Sequence, residues 1–141
     1  MTVVFDMDNT LVDSFGGTPR PGVAALLERL LRDGHMLVLW TNSRRQRAHD
    51  ILRLHDLRKF FGICICREDY DIEGDDPPKD IRIVQGDLLV DDDPAEIAFV
   101  KSVGRKGFLI PLYRKGDRPA PKELAELYRT ISRSRKFLGL F

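Results

Sequence analysis

The sequence has 141 residues, 43% of them apolar, so it can form one ordinary domain with its own core but not a second catalytic domain. Its 23 basic and 22 acidic side chains nearly cancel, which gives no bulk electrostatic signal for binding nucleic acid or an anionic membrane. No apolar stretch approaches the roughly 20 residues that cross a bilayer, and no basic leader precedes the first apolar run. We therefore expect a cytoplasmic protein.

The first part of the chain predicts two strands joined by a helix. Residues 2–5 are a short run of β-branched and aromatic residues, and residues 36–40 are a second apolar run, as in buried strands. Between them, residues 22–32 carry apolar side chains at the i, i+3, i+4 spacing of a helix that lies on a sheet. These segments predict one β-α-β unit.

The same alternation continues along the chain. The pattern predicts a helix at 44–54, a strand at 62–66, a polar loop at 67–78, a strand at 88–90, a helix at 94–103 and a strand near 108–112. Five short apolar strands that alternate with helices indicate a parallel sheet covered on both faces, with right-handed crossovers. The predicted fold class is therefore α/β, with a doubly wound sheet.

A terminal helix is expected from residue 121 to about residue 135. One face of this segment carries the apolar residues Leu124, Leu127, Tyr128 and Ile131. The tail at 137–141 is also apolar, so it could pack on the domain, or on a partner chain to form an oligomer. We expect a catalytic core at 1–116, and a C-terminal helix with an apolar tail at 117–141.

Polar residues follow three of the predicted strands, at 6–10, 41–43 and 91–93. In a doubly wound sheet, ligands bind beyond the carboxyl ends of the strands. The aspartates that would converge there are Asp6, Asp8, Asp91, Asp92 and Asp93. Two like charges about 4 Å apart cost about 4 kcal/mol at an effective dielectric of about 20, so such a cluster needs a cation. An all-oxygen cluster suits Mg²⁺, although we expect Asp93 to cap the following helix instead.

These segments resemble the four motifs of the haloacid dehalogenase (HAD) superfamily. Residues 3–11 look like its first motif, a hydrophobic strand followed by D-x-D-x-T, and residues 37–42 resemble the second, a hydrophobic strand ending in Thr or Ser. Lys79 matches the third-motif lysine, and residues 88–92 resemble the fourth motif, a hydrophobic strand ending in paired acids. The resemblance implies a Rossmann-like three-layer sandwich whose five-stranded parallel sheet has the order 5-4-1-2-3.

Two further segments resemble the compact phosphatases related to NLI-interacting factor and to the magnesium-dependent phosphatases. They are Arg-Pro-Gly-Val at 20–23 and Asp-Asp-Asp-Pro at 91–94. One feature departs from the superfamily pattern. The interval from Lys79 to Asp91 leaves little room for the full helix usually found there, so we expect Lys79 on a loop or a single turn.

No cap domain is expected. HAD enzymes that act on small metabolites often carry a cap, inserted either just after the first motif or between the second and third. Here only residues 11–20 and the polar residues 67–78 are left over at these two places. Segments below about 40 residues rarely fold as independent units, so the active site should be open and should accept a phosphorylated protein, peptide or other large molecule.

The resemblance implies a role in phosphoryl transfer for each matched residue. Asp6, at the tip of the first strand, is the expected nucleophile, which becomes an aspartyl-phosphate. Asp8 is expected to protonate the leaving oxygen and then to activate water, so that one group serves as general acid and general base. The carboxylate of Asp6 and the backbone carbonyl of Asp8 are also expected ligands of Mg²⁺.

The remaining residues are expected to bind the phosphate or the metal. Thr41 and Asn42, with backbone N–H groups at the start of the next helix, would supply neutral donors to an anion. Lys79 would supply a positive charge. Asp91 and Asp92 would hold Mg²⁺, one directly and the other either directly or through water.

The arginines at the start of the predicted 44–54 helix have two interpretations. They could contact the substrate, or they could belong to an exposed helical face. They are Arg44, Arg45 and Arg47.

The sequence predicts a magnesium-dependent phosphomonoesterase. One alternative is a phosphotransferase, which would pass the aspartyl-phosphate to another acceptor. The other is a non-enzymatic, phosphate-responsive module like the receiver domains, which also combine an acidic pocket with Mg²⁺, Thr and Lys. A receiver needs no acid two residues after its phosphorylated aspartate, whereas rapid hydrolysis does, so Asp8 favours an enzyme.

Overall fold

The computed structural model describes residues 1–118 and 121–138. In this part of the chain, the strands are β1 (Thr2–Phe5), β2 (Met36–Trp40), β3 (Ile63–Ile65), β4 (Leu88–Asp91) and β5 (Lys106–Leu109). The α-helices are α1 (Val23–Arg32), α2 (Arg45–Leu54), α3 (Arg67–Tyr70), α4 (Pro94–Ser102) and α5 (Pro121–Leu138). Two short 3-10 helices span Arg58–Phe60 and Ile81–Val84.

The strands form one parallel sheet in the order β3-β2-β1-β4-β5. The sheet is doubly wound, because the chain begins at the centre, extends to one edge and then returns to build the other. Val4 of β1 is in register with Val38 on one side and with Leu89 on the other. Counted from β5, this is the strand order that the HAD resemblance implied, so the predicted fold class is confirmed.

The side chains of the sheet alternate between two apolar layers, as the pleat of a strand requires. Val3 and Phe5 belong to the larger layer, to which α1, α2 and α5 contribute, whereas Val4 belongs to the smaller layer on the side of α4. Leu127 and Ile131 of α5 are fully buried in the larger layer. The apolar face of the terminal helix therefore packs on the domain.

The side chains of the apolar tail expected at 137–141 lie outside the part of the chain that the structure describes. Its contact with the domain or with a partner chain stays a prediction. The division into a core at 1–116 and a C-terminal segment at 117–141 likewise stays a proposal, and the contact between α5 and α1 supports only the packing of this helix on the core.

The segment at 67–78 was expected to be a loop throughout, and this is wrong for its first four residues. They form α3. The carboxylate of Asp69 accepts a hydrogen bond of 2.9 Å from the N–H of Cys66, which satisfies a backbone donor at the start of this turn. The rest of the segment has no regular structure.

The last strand begins and ends earlier than expected. Lys106 pairs with Leu88, so β5 starts two residues before the expected run. Its early residues include Gly107, where an added Cβ would lie 2.9 Å from Cγ2 of Ile97, so α4 can approach β5 closely. The strand stops before Pro111, which has no N–H to continue a ladder.

No inserted domain covers the carboxyl ends of the strands in the part of the chain that the structure describes. The 11–20 segment is a loop, in which Val12 forms isolated bridges to Asp8 and to Pro19. The described residues therefore form a core without a cap, as expected. Among the described helices, none combines the length and the apolar character needed to cross a membrane.

Candidate active site

The carboxyl ends of β1 and β4 bring two buried carboxylates to one lysine. Asp6 follows β1 directly, and Asp91 is the last residue of β4. The Nζ atom of Lys79 lies 2.9 Å from Oδ1 of Asp6 and 2.7 Å from Oδ2 of Asp91. Lys79 precedes the 3-10 helix at Ile81–Val84 and stands on a loop. The short interval of sequence between Lys79 and Asp91 predicted a loop or a single turn here.

Asp92 adds a third carboxylate to this pair. Ligand oxygens of Asp6, Asp91 and Asp92 all lie within 4.8 Å of one another. The hydroxyl of Thr10 lies 3.0 Å from Oδ2 of Asp6 and 3.2 Å from Oδ1 of Asp92, and so links the two side chains. This role of Thr10 was not predicted from the sequence, where its place in the D-x-D-x-T pattern is the one signal for it. Three carboxylates form the hard oxygen donor set that Mg²⁺ prefers.

Burial changes the titration of these groups. It raises the pKa of Asp6 to about 6, although the nearby Lys79 ammonium acts in the opposite direction. Burial, and then the charge of Asp6, raises the pKa of Asp91 to about 6. Burial by itself would lower the pKa of Lys79, but the two carboxylates outweigh it and hold that pKa above its ordinary value. One ammonium group cannot neutralise three carboxylates, so the site favours a further cation.

Thr41 and Asn42 follow β2 at the same edge of the sheet. Thr41 is buried, and its Oγ1 accepts a hydrogen bond of 3.0 Å from the N–H of Ser43, so its own hydrogen can be donated to an anion. One of the backbone N–H groups expected to bind the phosphate already donates to a carboxylate of the protein, however. The N–H of Arg45, at the start of α2, donates to the carboxylate of Glu68 at 3.0 Å.

One open cleft, with a volume of about 660 Å³, is lined by all seven residues that the sequence predicted for the site. They are Asp6, Asp8, Thr41, Asn42, Lys79, Asp91 and Asp92. Glu96 of α4 also lines the cleft, and its carboxylate accepts a hydrogen bond of 2.8 Å from the Lys79 N–H. Sequence reasoning missed Glu96, because no local pattern separates it from an ordinary exposed residue in the first turn of a helix.

The carboxylate of Asp8 lies apart from the three clustered carboxylates and pairs with an arginine. Nη1 of Arg47 lies 2.9 Å from Oδ2 of Asp8, and Nη2 lies 3.0 Å from Oδ1. Arg44 and Arg47 line the cleft, whereas Arg45 pairs with Asp69 and does not. Arg45 thus lies outside the cleft, whereas substrate contact by Arg44 or Arg47 stays a prediction.

Arg20 supports the loop that carries Asp8. Its side chain is buried and donates to the backbone carbonyls of Asn9, at 3.1 Å, and Thr10, at 2.7 Å. The same guanidinium group forms an ion pair of 2.9 Å with Glu123 of α5. Arg20 belongs to the Arg-Pro-Gly-Val motif, but no sequence pattern indicates this role, since Glu123 is 103 residues away in the chain.

Asp93 has the role expected of it. Its carboxylate accepts a hydrogen bond of 2.9 Å from the N–H of Ala95 and caps α4. Its own N–H donates to Oδ1 of Asp91 at 3.0 Å. Both oxygens of Asp91 are therefore engaged, one by Lys79 and one by this backbone group.

The D-x-D-x-T pattern follows the central strand of this parallel sheet, and paired acids stand at the end of the adjacent strand, beside a buried lysine. This combination of strand order and site residues defines a hydrolase of the HAD superfamily. Residues 1–138 match the family model described as NLI interacting factor-like phosphatase, and the chain belongs to this family. The protein is therefore a phosphatase. Comparison with curated protein sequences gives no match.

Solved structures share the fold at low sequence identity. A hydrolase from Streptococcus pneumoniae TIGR4 has a TM-score of 0.64 and 13% identity, over 79% of this chain and 92% of that one. A HAD phosphatase from Thermococcus onnurineus has a TM-score of 0.59 and 22% identity, over 81% of this chain and 58% of that one. D,D-heptose 1.7-bisphosphate phosphatase from B. bronchiseptica, complexed with magnesium and phosphate, has a TM-score of 0.57 and 14% identity, over 94% and 98%.

Proposed function

We propose that this phosphatase is a magnesium-dependent phosphomonoesterase that transfers the phosphoryl group first to Asp6 and then to water. The observation that carries the proposal is the convergence of Asp6, Asp91 and Asp92 around the buried ammonium group of Lys79. A carboxylate and a phosphoryl group repel each other, and a fixed cation beside both reduces this repulsion. Asp6 is thus suited to attack phosphorus.

The carboxylates of Asp6, Asp91 and Asp92 and the backbone carbonyl of Asp8 would hold Mg²⁺. Bound there, Mg²⁺ would neutralise excess negative charge and polarise the phosphoryl oxygens. The donor chemistry supports this assignment, because all four groups offer oxygen and the carboxylates outnumber the one ammonium group. A phosphatase with a similar fold is described as complexed with magnesium and phosphate.

In the first half-reaction, a carboxylate oxygen of Asp6 forms a bond to phosphorus, and the bond from phosphorus to the leaving oxygen breaks. The protonated carboxyl group of Asp8 gives its proton to that oxygen, which leaves as an alcohol. Thr41, Asn42 and Lys79 bind the phosphoryl oxygens as charge spreads over them.

In the second half-reaction, water attacks the aspartyl-phosphate. Asp8, now a carboxylate, accepts a proton from the attacking water, and the bond from phosphorus to the Asp6 oxygen breaks. Inorganic phosphate is released, and both aspartates return to their starting states. One carboxyl group beside the nucleophile can serve both half-reactions, because the first leaves it in the form that the second needs.

The open cleft supports a large substrate. No cap domain is present in the described residues to enclose a small metabolite, so contacts beyond the phosphate must come from the substrate's own bulk or from the loops around the cleft. We therefore propose phosphoryl groups on a protein, a peptide or another large molecule as the substrates.

An intact-mass measurement tests the reaction path. The purified protein is mixed with Mg²⁺ and an aryl phosphate, quenched in acid within the first turnovers, and examined for one added phosphoryl group. We expect the adduct on the wild type and on Asp8→Asn, in which the second half-reaction is slowed, but not on Asp6→Asn. An adduct of equal abundance on Asp6→Asn would contradict the assignment of the nucleophile.

A further inference from the structure

The side chain of Asp8 is held in the cleft by one arginine, and this contact is built for orientation. A guanidinium group that meets both carboxylate oxygens, at 2.9 and 3.0 Å, fixes the plane of the carboxylate as well as its position. We propose that Arg47 is the positioning residue for Asp8 in proton transfer: it holds both oxygens of the carboxylate, and it keeps a hydrogen bond to the carbonyl oxygen when the other oxygen carries the proton for the leaving group. The inference rests on the proposed function, in which Asp8 is the acid and base.

Arg47 is itself firmly placed. It stands on α2, and besides Asp8 it donates to Oγ of Ser43 at 3.0 Å and to the backbone carbonyl of Ser14 at 3.2 Å. Ser43 lies on the segment after β2, and Ser14 lies on the loop after β1. Arg47 therefore joins three parts of the cleft wall, and Asp8 is held relative to all of them.

Asp8 needs such a partner because its own segment does not fix its side chain. Asp8 lies on the loop after β1. Thr10 contacts Asp6 and Asp92, and Lys79 contacts Asp6. Neither Thr10 nor Lys79 forms a hydrogen bond with Asp8. Among the described residues, both hydrogen bonds to the Asp8 carboxylate come from Arg47. Without them the carboxylate could turn to other rotamers, and a displacement of about 1 Å can cost about 100-fold in rate.

Arg47 could instead bind the substrate directly, since it lines the cleft. The two roles differ in how they depend on the leaving group. A positioning residue acts through proton donation by Asp8, so its loss harms esters whose leaving oxygen needs a proton and spares those with a stable leaving anion. A direct contact with the phosphate would serve both esters equally.

The experiment compares benzyl phosphate, a poor leaving group, with p-nitrophenyl phosphate, a good one, in the presence of Mg²⁺. The value of kcat/KM covers only the steps up to loss of the leaving group, so it leaves out the second half-reaction, and the comparison of the two esters then reports on proton donation. For Arg47→Ala we expect kcat/KM to fall about 10-fold or more with benzyl phosphate, but less than about 3-fold with p-nitrophenyl phosphate. Arg47→Gln, which keeps a polar side chain, should show the same difference if Arg47→Ala folds poorly.

A double-mutant cycle with Asp8→Asn gives the second readout. If Arg47 acts through Asp8, adding Arg47→Ala to Asp8→Asn should cause no further loss with benzyl phosphate. Arg45→Ala is the matched control, because Arg45 stands on the same helix but pairs with Asp69 outside the cleft. It should leave both values of kcat/KM close to those of the wild type.

The outcomes separate the inference from the proposed function. Equal losses of kcat/KM with the two esters, or a full additional loss in the double variant, would overturn the inference alone. A wild type that hydrolyses neither ester, while it also fails with phosphopeptides, would overturn the proposed function and the inference together.

Discussion

The ammonium group of Lys79 lies 2.9 Å from Oδ1 of Asp6, and both side chains are buried. The other oxygen of this carboxylate, Oδ2, lies 3.0 Å from the hydroxyl of Thr10. Asp6 is therefore held at both oxygens before a substrate arrives. A nucleophile fixed in this way needs little reorganisation to attack, which is how a preorganised site lowers a reaction barrier.

Replacing the nucleophile should abolish turnover. Asp6→Asn is nearly isosteric, but an amide cannot form the aspartyl-phosphate, so we expect kcat to fall by about 1,000-fold or more. Phosphate release from an aryl phosphate measures it. Asp93→Asn is the matched control, because asparagine caps a helix as well as aspartate does, and it should remain active. Activity of Asp6→Asn near that of the wild type would disprove the assignment.

Magnesium should bind the folded carboxylate cluster and stabilise it. We expect millimolar Mg²⁺ to raise the melting temperature, because the ion binds the folded state alone. We also expect EDTA to remove activity, because the proposed reaction requires the bound ion. Asp91 is buried and paired with the Lys79 ammonium group, whereas Asp92 is half-buried, so we expect Asp92 to be the more direct ligand. Asp92→Asn should then raise the Mg²⁺ concentration for half-maximal activity more than Asp91→Asn does. Activity that survives exhaustive EDTA treatment would contradict the metal requirement.

Acidification should stabilise the metal-free protein through its buried carboxylates. The folded-state pKa of Asp6 and of Asp91 is about 6, against an ordinary value of 3.8. Between these values the folded state binds more protons than the unfolded state, so this contribution to the free energy of unfolding rises as the pH falls from about 7 to about 5. Urea denaturation in EDTA measures it. Asp6→Asn should gain less than the wild type, and an equal gain in both proteins would refute the prediction.

The ion pair between Arg20 and Glu123 should tie α5 to the stability of the domain. Glu123→Ala leaves the buried guanidinium group without its carboxylate, and we expect the free energy of unfolding to fall by about 1–3 kcal/mol. The estimate stays below that for a fully buried pair because Glu123 is partly exposed. Glu126→Ala, at an exposed position of the same helix, is the control. Equal small effects of the two substitutions, measured by urea denaturation, would argue against this role.

Substrate size should affect the efficiency of the enzyme. Because the cleft is open, we expect phosphopeptides or other large phosphorylated molecules to be hydrolysed with higher kcat/KM than free sugar or nucleoside phosphates. Phosphate release from a mixed panel with Mg²⁺ tests this. A small metabolite turned over at about 10⁵ M⁻¹s⁻¹ or better, with phosphopeptides and polynucleotide ends far slower, would contradict it.

The sequence by itself determined the fold class and the set of candidate site residues. Apolar runs such as Thr2–Phe5 and Met36–Trp40 end at polar residues, and the structure has these two strands with the expected bounds. Parallel strands end at one edge of a sheet, so the residues that follow them can be predicted to meet there without any knowledge of packing. This is why Asp6 and Asp91 could be placed at one site from their positions in the chain.

Only the tertiary structure decided which side chains hold the site in place. Arg47 and Asp8 are 39 residues apart, and Arg20 and Glu123 are 103 apart, so no local pattern pairs them. Their contacts depend on how α2 and α5 lie against the sheet and on the rotamers that this packing selects. The short helix at Arg67–Tyr70 was missed for a different reason: its capping contact between Asp69 and Cys66 is local, but the polar composition of the segment is typical of a loop. Strand ends follow from periodicity, whereas partners across the fold follow from packing.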